Sequence, residues 1–353
     1  MQGRCNMKII RYSFAAACFT ALLAFPPQSK LNLVCAQTQE PKAPTAAESG
    51  PPRISDRTYK IDATLVNVDV LVTDEDGRVL SGLKRDNFRV FDNGVPQQII
   101  DFSPTTAPIT IVMLMEYSSA SYSYFADKAA IWGTQFVQHL DPKDWVALVT
   151  YDLRPKVQVD FTHQQYEIRD TIASLGFPQF REINLYDALT ETLDMLDRVQ
   201  GRTSILLLST GTNSFSAANL DEVLRRLKQT DTVLFCVGLG EAEYVRYGGN
   251  LSYMHGKATL ENFARQTGGL ALFPRFEGEL PDIFRSVVGY LRSEYTLTFR
   301  PPVASRDGLY HRLKIEIVDA DGKALKVTNE KGKRRKIEVF ARQGYIAPKD
   351  KTP

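Results

Sequence analysis

The 353-residue chain is 43% hydrophobic and 24% charged, with 43 basic against 41 acidic residues and four cysteines. This is the profile of a globular protein with room for about two domains; it excludes a disordered chain and gives no electrostatic footprint of a nucleic-acid binder. Charge is informative only where it is unevenly spread along the chain.

Lys8 and Arg11 precede an apolar run from Phe14 to Phe25, the length of a signal-peptide core and too short to span a bilayer. Val34 and Ala36 supply the small residues of a cleavage position before Gln37, and neither Cys18 nor Cys35 sits in a lipidation box. Residues 1–36 therefore read as a signal peptide, and the mature chain as exported, periplasmic or secreted, with no transmembrane anchor. Without them the balance becomes 39 basic against 41 acidic residues, and Cys236, in the apolar run TVLFCVGLG, is the one cysteine left. With no basic or histidine neighbour to generate a thiolate, it reads as a small buried apolar residue. Residues 37–57, rich in Pro, Ala and polar side chains, read as a flexible, disordered linker.

From 58 to 105 the pattern has period two: Val66, Val68 and Val70 alternate with Asn67 and Asp69, and DEDG (74–77) and Asp92-Asn93-Gly94 mark turns. This is a β-rich flank. Between 106 and 293 apolar runs at 109–115, 145–151, 204–209, 232–238 and 270–273, with an edge-like run at 156–161, alternate with helical patterns at 125–140, 164–174, 186–199, 218–229, 257–267 and 279–292. Continuous apolar strands alternating with helices predict a doubly wound α/β domain, its mostly parallel six-stranded sheet covered on both faces. Phe125, Ala129, Trp132, Phe136 and Leu140 fall on one face of the first helix.

Period two returns from 294 to 346, ahead of a short tail at 347–353. The segment 294–353 holds 14 basic and 8 acidic residues, and the run 331–336, KGKRRK, reads as a solvated hairpin tip. Each flank has too few strands to bury a sandwich alone. The expectation is that the two pair into one Ig-like β-sandwich from which the α/β domain emerges.

Enzyme signals are poor. The chain has no H-E-x-x-H, G-x-S-x-G, C-x-x-C or G-x-x-x-x-G-K, and Gly238-x-Gly240 lacks the third glycine of a dinucleotide fingerprint. His139, His163, His255 and His311 are scattered and read as surface residues.

ITIVMLMEYSSAS, INLYDALTETLDML, SILLLSTGTNS, TVLFCVGLG and LENFARQTGGLALF, in this order, resemble a von Willebrand factor A domain. The flanks, VNVDVLVTDEDGRVLSGLKRDNFRVFDNGVPQQIIDF and FARQGYIAP, resemble the related proteins typical of acidobacterial genomes. The resemblance implies an adhesion-type protein-binding module and a metal-ion-dependent adhesion site built from D-x-S-x-S, a Thr and a second Asp. Carried over strand by strand, those positions hold Glu116, Ser118, Ala120, Ile183 and Thr210, so four of the five ligands have changed. One carboxylate and two hydroxyls are a weak set for a hard divalent cation.

The expectation is thus a degenerate site and a non-catalytic module that works without a cofactor and binds a protein partner, envelope-associated, and no nucleic acid. Residual Mg²⁺ or Mn²⁺ adhesion through Glu116, Ser118 and Thr210 is one alternative, and an envelope-polymer hydrolase is the alternative from another class. The hydroxyl- and aromatic-rich strand ends nominate Tyr117, Ser119, Ser121, Tyr122, Tyr124, Thr212 and Asn213 as partner contacts, with Ser118 and Ser214 beside them. Asp187, near a helix start, reads as a capping residue.

Overall fold

The computed structural model describes residues 50–53, 65–104, 108–120, 133, 135–239, 251–292, 295–328 and 332–347. Expectations on the signal peptide, most of the linker, Ser121, Tyr122, Tyr124, the first half of the helix expected at 125–140 and most of the tail fall outside these residues.

Strand β1 (Val66–Asp74) is followed by β2 (Phe88–Asp92), β3 (Val95–Gln97) and β4 (Ile99–Pro104), and the chain then crosses into the α/β part. That part runs β5 (Ile109–Glu116), β6 (Trp145–Tyr151), β7 (Pro155–Thr162), α1 (Gln165–Ser174), α2 (Leu185–Leu196), β8 (Arg202–Ser209), α3 (Leu220–Gln229), β9 (Val233–Gly238), α4 (Leu251–Thr267), β10 (Ala271–Leu272) and α5 (Leu280–Arg292). The second flank supplies β11 (Tyr295–Phe299), β12 (Tyr310–Ile317), β13 (Val327–Thr328), β14 (Arg334–Arg335), β15 (Ile337–Ala341) and β16 (Gly344–Ile346).

The central sheet has the order β10-β9-β8-β5-β6-β7, parallel throughout except for the antiparallel edge strand β7. All eight residues of β5 are buried, as a strand covered on both faces requires. Its alternate residues feed two cores. Ile109, Ile111, Met113 and Met115 pack with Phe136, Ile168 and Phe284 on one side. Val112 and Leu114 pack with Leu189, Val223 and Phe263 on the other. Helix α3 starts on a capping box in which Asn219 and Glu222 bond each other's backbone amides at 3.0 and 2.8 Å. Cys236 is fully buried, and burial pushes its thiol pKa up.

The flanks interleave. Strand β1 lies between β11 and β15 in a sheet of order β15-β1-β11-β4, and β2 pairs with β12 in a second sheet of order β16-β12-β2-β3. Val68, Val70 and Leu297 from the first sheet and Phe88, Val90 and Leu313 from the second belong to one buried cluster. The chain leaves for the α/β domain at Pro104 and returns at Tyr295, which are register partners on adjacent strands. A whole domain can therefore sit between two neighbouring strands without breaking the ladder.

Three expectations need correction. His311 is buried, not a surface residue: its Nδ1 meets Asp92 at 2.8 Å and its Nε2 meets Asp307 at 3.2 Å, while the Tyr345 phenol donates to Asp92 at 2.9 Å. Burial alone would push the His311 pKa down, but the bonds and charges of the two aspartates outweigh it and hold the value up. Part of the supposed linker is ordered, since Pro51 is buried, Arg53 bridges to Val199 and the Gln200 amide donates to Pro52. In the basic run, Arg335 turns back onto Glu75 and Asp76 of the DEDG turn, whereas Arg334 and Lys336 on either side of it are exposed.

The two parts are fastened at the N-terminal side of the central sheet. Arg202 bonds Asp69 at 3.4 Å and the Leu291 carbonyl at 3.1 Å, and the Tyr290 phenol donates to the Gly77 carbonyl at 3.2 Å. Buried Arg342 pairs with Asp231 and donates to the Gly344 carbonyl at 2.9 Å. Anchoring this side leaves the opposite edge of the sheet to the loops.

Candidate functional site

The C-terminal ends of β5, β6 and β8 converge where an open α/β sheet places its ligands. Glu116 ends β5 and is fully buried. Its Oε2 accepts hydrogen bonds from the Ser209 hydroxyl at 2.9 Å, the Thr210 amide at 2.8 Å and the Thr210 hydroxyl at 3.0 Å; that hydroxyl is also 3.2 Å from Oε1. Ser209 in turn accepts from the Tyr151 phenol at 2.8 Å and the Gly211 amide at 2.9 Å. Burial, reinforced by the Glu116 charge, pushes the Tyr151 pKa up, so the phenol remains a neutral donor. The carboxylate is thus a fixed acceptor that ties β5 to the turn after β8.

That turn is held from behind by a backbone contact. Gly211 has φ +76°, and Gly256 of α4 lies so close that a Cβ on either glycine would overlap the other segment's backbone. The Thr210 and Thr212 hydroxyls are 2.5 Å apart. Asn213 accepts the Leu185 and Tyr186 amides at 3.0 and 3.4 Å and so caps α2 from the neighbouring loop. Asp187 accepts the Ala217 and Ala218 amides at 2.9 and 2.8 Å, which fixes the approach to α3.

Of the five positions expected to correspond to metal ligands, Glu116 and Ser118 are fully buried, Thr210 is half-buried against Glu116, and Ala120 is exposed. Ile183 is buried in the core, with its backbone amide taken by the Ser214 hydroxyl at 2.8 Å. The nominated contact residues are less available than the sequence suggests. Tyr117 is half-buried and its phenol donates to the Gly176 carbonyl at 2.7 Å. The Ser119 amide donates to Phe180 at 2.7 Å, and Thr212 and Asn213 spend their polar groups on the loops themselves. Polar side chains next to these strand ends are taken up by groups of the loops themselves.

What the rim exposes is apolar. Phe177, Phe180 and Phe215 are 66%, 44% and 56% exposed. Phe180 is tied by its carbonyl to Ser119, and the Phe215 amide donates to Ile183, so both belong to the strand-end loops. Beside them a cleft of about 370 Å³ is walled by Tyr117, Asp152, Arg154, Lys156, Phe177 and Phe180. The sequence does hold a signal for these residues: GFPQF puts two phenylalanines in a turn-forming stretch that neither helical nor strand periodicity can bury. Among the described residues no group of three or more His, Cys, Asp and Glu is placed to hold a metal ion, and no helix is long and apolar enough to cross a membrane.

Residues 111–262 match the family model of the von Willebrand factor type A domain. No curated protein matches the chain. Among solved structures, the vWF domain of the type V pili tip protein from Porphyromonas gingivalis is 12% identical, with 53% of this chain and 96% of that chain covered and a TM-score of 0.43. An aerotolerance-related membrane protein from Bacteroides fragilis is 11% identical, with 52% and 99% covered and a TM-score of 0.41. A von Willebrand factor type A protein from Catenulispora acidiphila is 10% identical, with 87% and 76% covered and a TM-score of 0.42.

Proposed function

Because the chain carries a von Willebrand factor type A domain at residues 111–262, we propose that it is an exported, non-catalytic protein-interaction module that binds its partner without a metal ion. The observation that carries this reading is the pairing of a saturated Glu116 with an exposed aromatic rim. A divalent cation of the Mg²⁺ type needs about six oxygen ligands in near-octahedral array. Here the one carboxylate accepts from Ser209 and Thr210, and the residue in the second acid's place is itself a donor to it. Ala120 and Ile183 offer no side-chain oxygen. The donor set does not fit the ion, and the same bonds hold the loops in shape without it.

Phe177, Phe180 and Phe215 supply the large, stiff apolar anchors typical of interface hot spots, with Arg154 and Lys156 at their border. The flanking strands form an Ig-like sandwich that carries the domain, and the signal at residues 1–36 sends it to the envelope or beyond. The hydrolase alternative has weak support, since Ser118 is buried and cannot serve as an exposed nucleophile.

The test is capture from the producing organism's envelope fraction with the mature protein and with a Phe177→Ser, Phe180→Ser, Phe215→Ser variant, each in Mg²⁺ and in EDTA. The expected result is a partner retained by the parent protein in both buffers and lost by the triple variant, with a loss of at least about 2 kcal/mol of binding energy. A partner that the triple variant retains equally, or that EDTA releases, contradicts the proposal.

A further inference from the structure

A second cleft, of about 500 Å³, opens where the sandwich meets the α/β domain and is lined by Lys228, Gln266, Tyr310, Arg312, Leu313 and Gln343. Lys228 is in the last turn of α3, which starts after the C-terminal end of β8 and ends before the first residue of β9. The cleft is therefore at the opposite end of the sheet from the aromatic rim, and it involves none of the residues invoked for partner binding.

Its chemistry is one-sided. No carboxylate lines it. Among the described residues neither the Lys228 ammonium nor the Arg312 guanidinium makes an ion pair, whereas Arg342 behind them is neutralised by Asp231. Tyr310 and Arg312 are two apart on β12 and therefore share a face. The Lys228 ammonium is 5.2 Å from the centre of the Tyr310 ring.

Two cations with no carboxylate partner line the same cleft, an arrangement that attracts an anion. The site is also preformed: the Tyr310 ring packs over Gly344, where any side chain would collide with it, and the backbone at Gln343 is fixed by the hydrogen bond that its carbonyl accepts from the Leu313 amide at 2.9 Å. Among the described residues no hydrogen bond ties down the Gln343 side-chain amide, which leaves a donor and an acceptor for neutral polar groups.

We propose that this cleft binds an acidic sugar residue of a polysaccharide, with Arg312 and Lys228 on the carboxylate, Gln343 on hydroxyls, and Tyr310 against the apolar face of the ring. An arginine fork matches a carboxylate in two parallel bonds, while an aromatic ring and amides serve the rest of a hydroxylated ring. The volume lies within the range of ordinary small-ligand sites.

Affinity electrophoresis of the whole protein through gels containing polygalacturonate, neutral dextran or poly-glutamate tests this at near-physiological ionic strength. The expected result is retardation by polygalacturonate only, weakened by about tenfold or more in Arg312→Ala/Lys228→Ala. The charge-matched variant Lys143→Ala/Lys326→Ala, altered at exposed positions that do not line the cleft, should run as the parent does. Arg312→Gln changes one exposed side chain and repeats the loss without touching α3. Absence of retardation for the parent protein overturns the proposal. So does equal weakening in the charge-matched variant, or equal retardation by poly-glutamate, each of which would mean attraction by charge alone.

Discussion

Replacing Gly256 with alanine is expected to lower the unfolding free energy by roughly 3 kcal/mol, the upper end of overpacking costs. The methyl group would be driven into the Thr210 carbonyl, and neither partner can yield cheaply, since one is the backbone of α4 and the other the backbone of the strand-end turn. Gly289 in α5 provides the contrast. It too is helical, but an added Cβ there meets nothing within 4 Å, so Gly289→Ala should be neutral or stabilising by up to about 1 kcal/mol. Urea unfolding of both variants measures the difference, and comparable midpoints would show that the Gly256 contact is not tight. The first variant should also weaken capture through the aromatic rim, because the displaced turn bears Asn213 and Phe215.

Glu116→Ala carries the second large effect, a loss of about 3 kcal/mol. The substitution leaves the Ser209 hydroxyl and the Thr210 amide and hydroxyl without their common acceptor at a point water does not reach. Glu116→Gln keeps the shape and one oxygen while turning an NH₂ toward some of the same donors, so it should fall between the parent and the alanine variant. Equal stability of all three in denaturant would mean that the carboxylate is not the structural acceptor its geometry describes. A metal ligand would behave differently, because its removal would cost stability only in the presence of the ion.

Much of the fold is legible in the sequence because strand burial leaves a direct mark. ITIVMLM and SILLLS are apolar on both faces, and the structure puts them side by side in the middle of the sheet. The period-two runs of the flanks likewise match β1, β11, β12 and β15, although pairing between residues more than 200 positions apart is not something periodicity can reveal. The site is less legible. That Glu116, Ser118, Ala120, Ile183 and Thr210 form a poor cation set can be read from residue types alone. That Tyr117 and Asn213 turn inward cannot, because their partners are backbone groups of loops distant in sequence, and the Thr212 hydroxyl is taken by the Thr210 hydroxyl two residues before it. The burial of His311 is equally invisible in the sequence, since the Asp92 carboxylate that its Nδ1 meets lies 219 positions away. The close approach of Gly211 to Gly256 joins segments 45 positions apart, which no periodicity in the sequence marks.

The strand-end site keeps its form through hydrogen bonds, and in the proposed function it binds without a divalent cation. Isothermal titration of Mg²⁺ and Mn²⁺ into the mature protein tests it most directly, with Glu116→Ala as the comparison. No saturable heat is expected at sub-millimolar concentrations of either ion for either protein. Saturable binding tighter than millimolar in the parent protein that disappears in Glu116→Ala would contradict it.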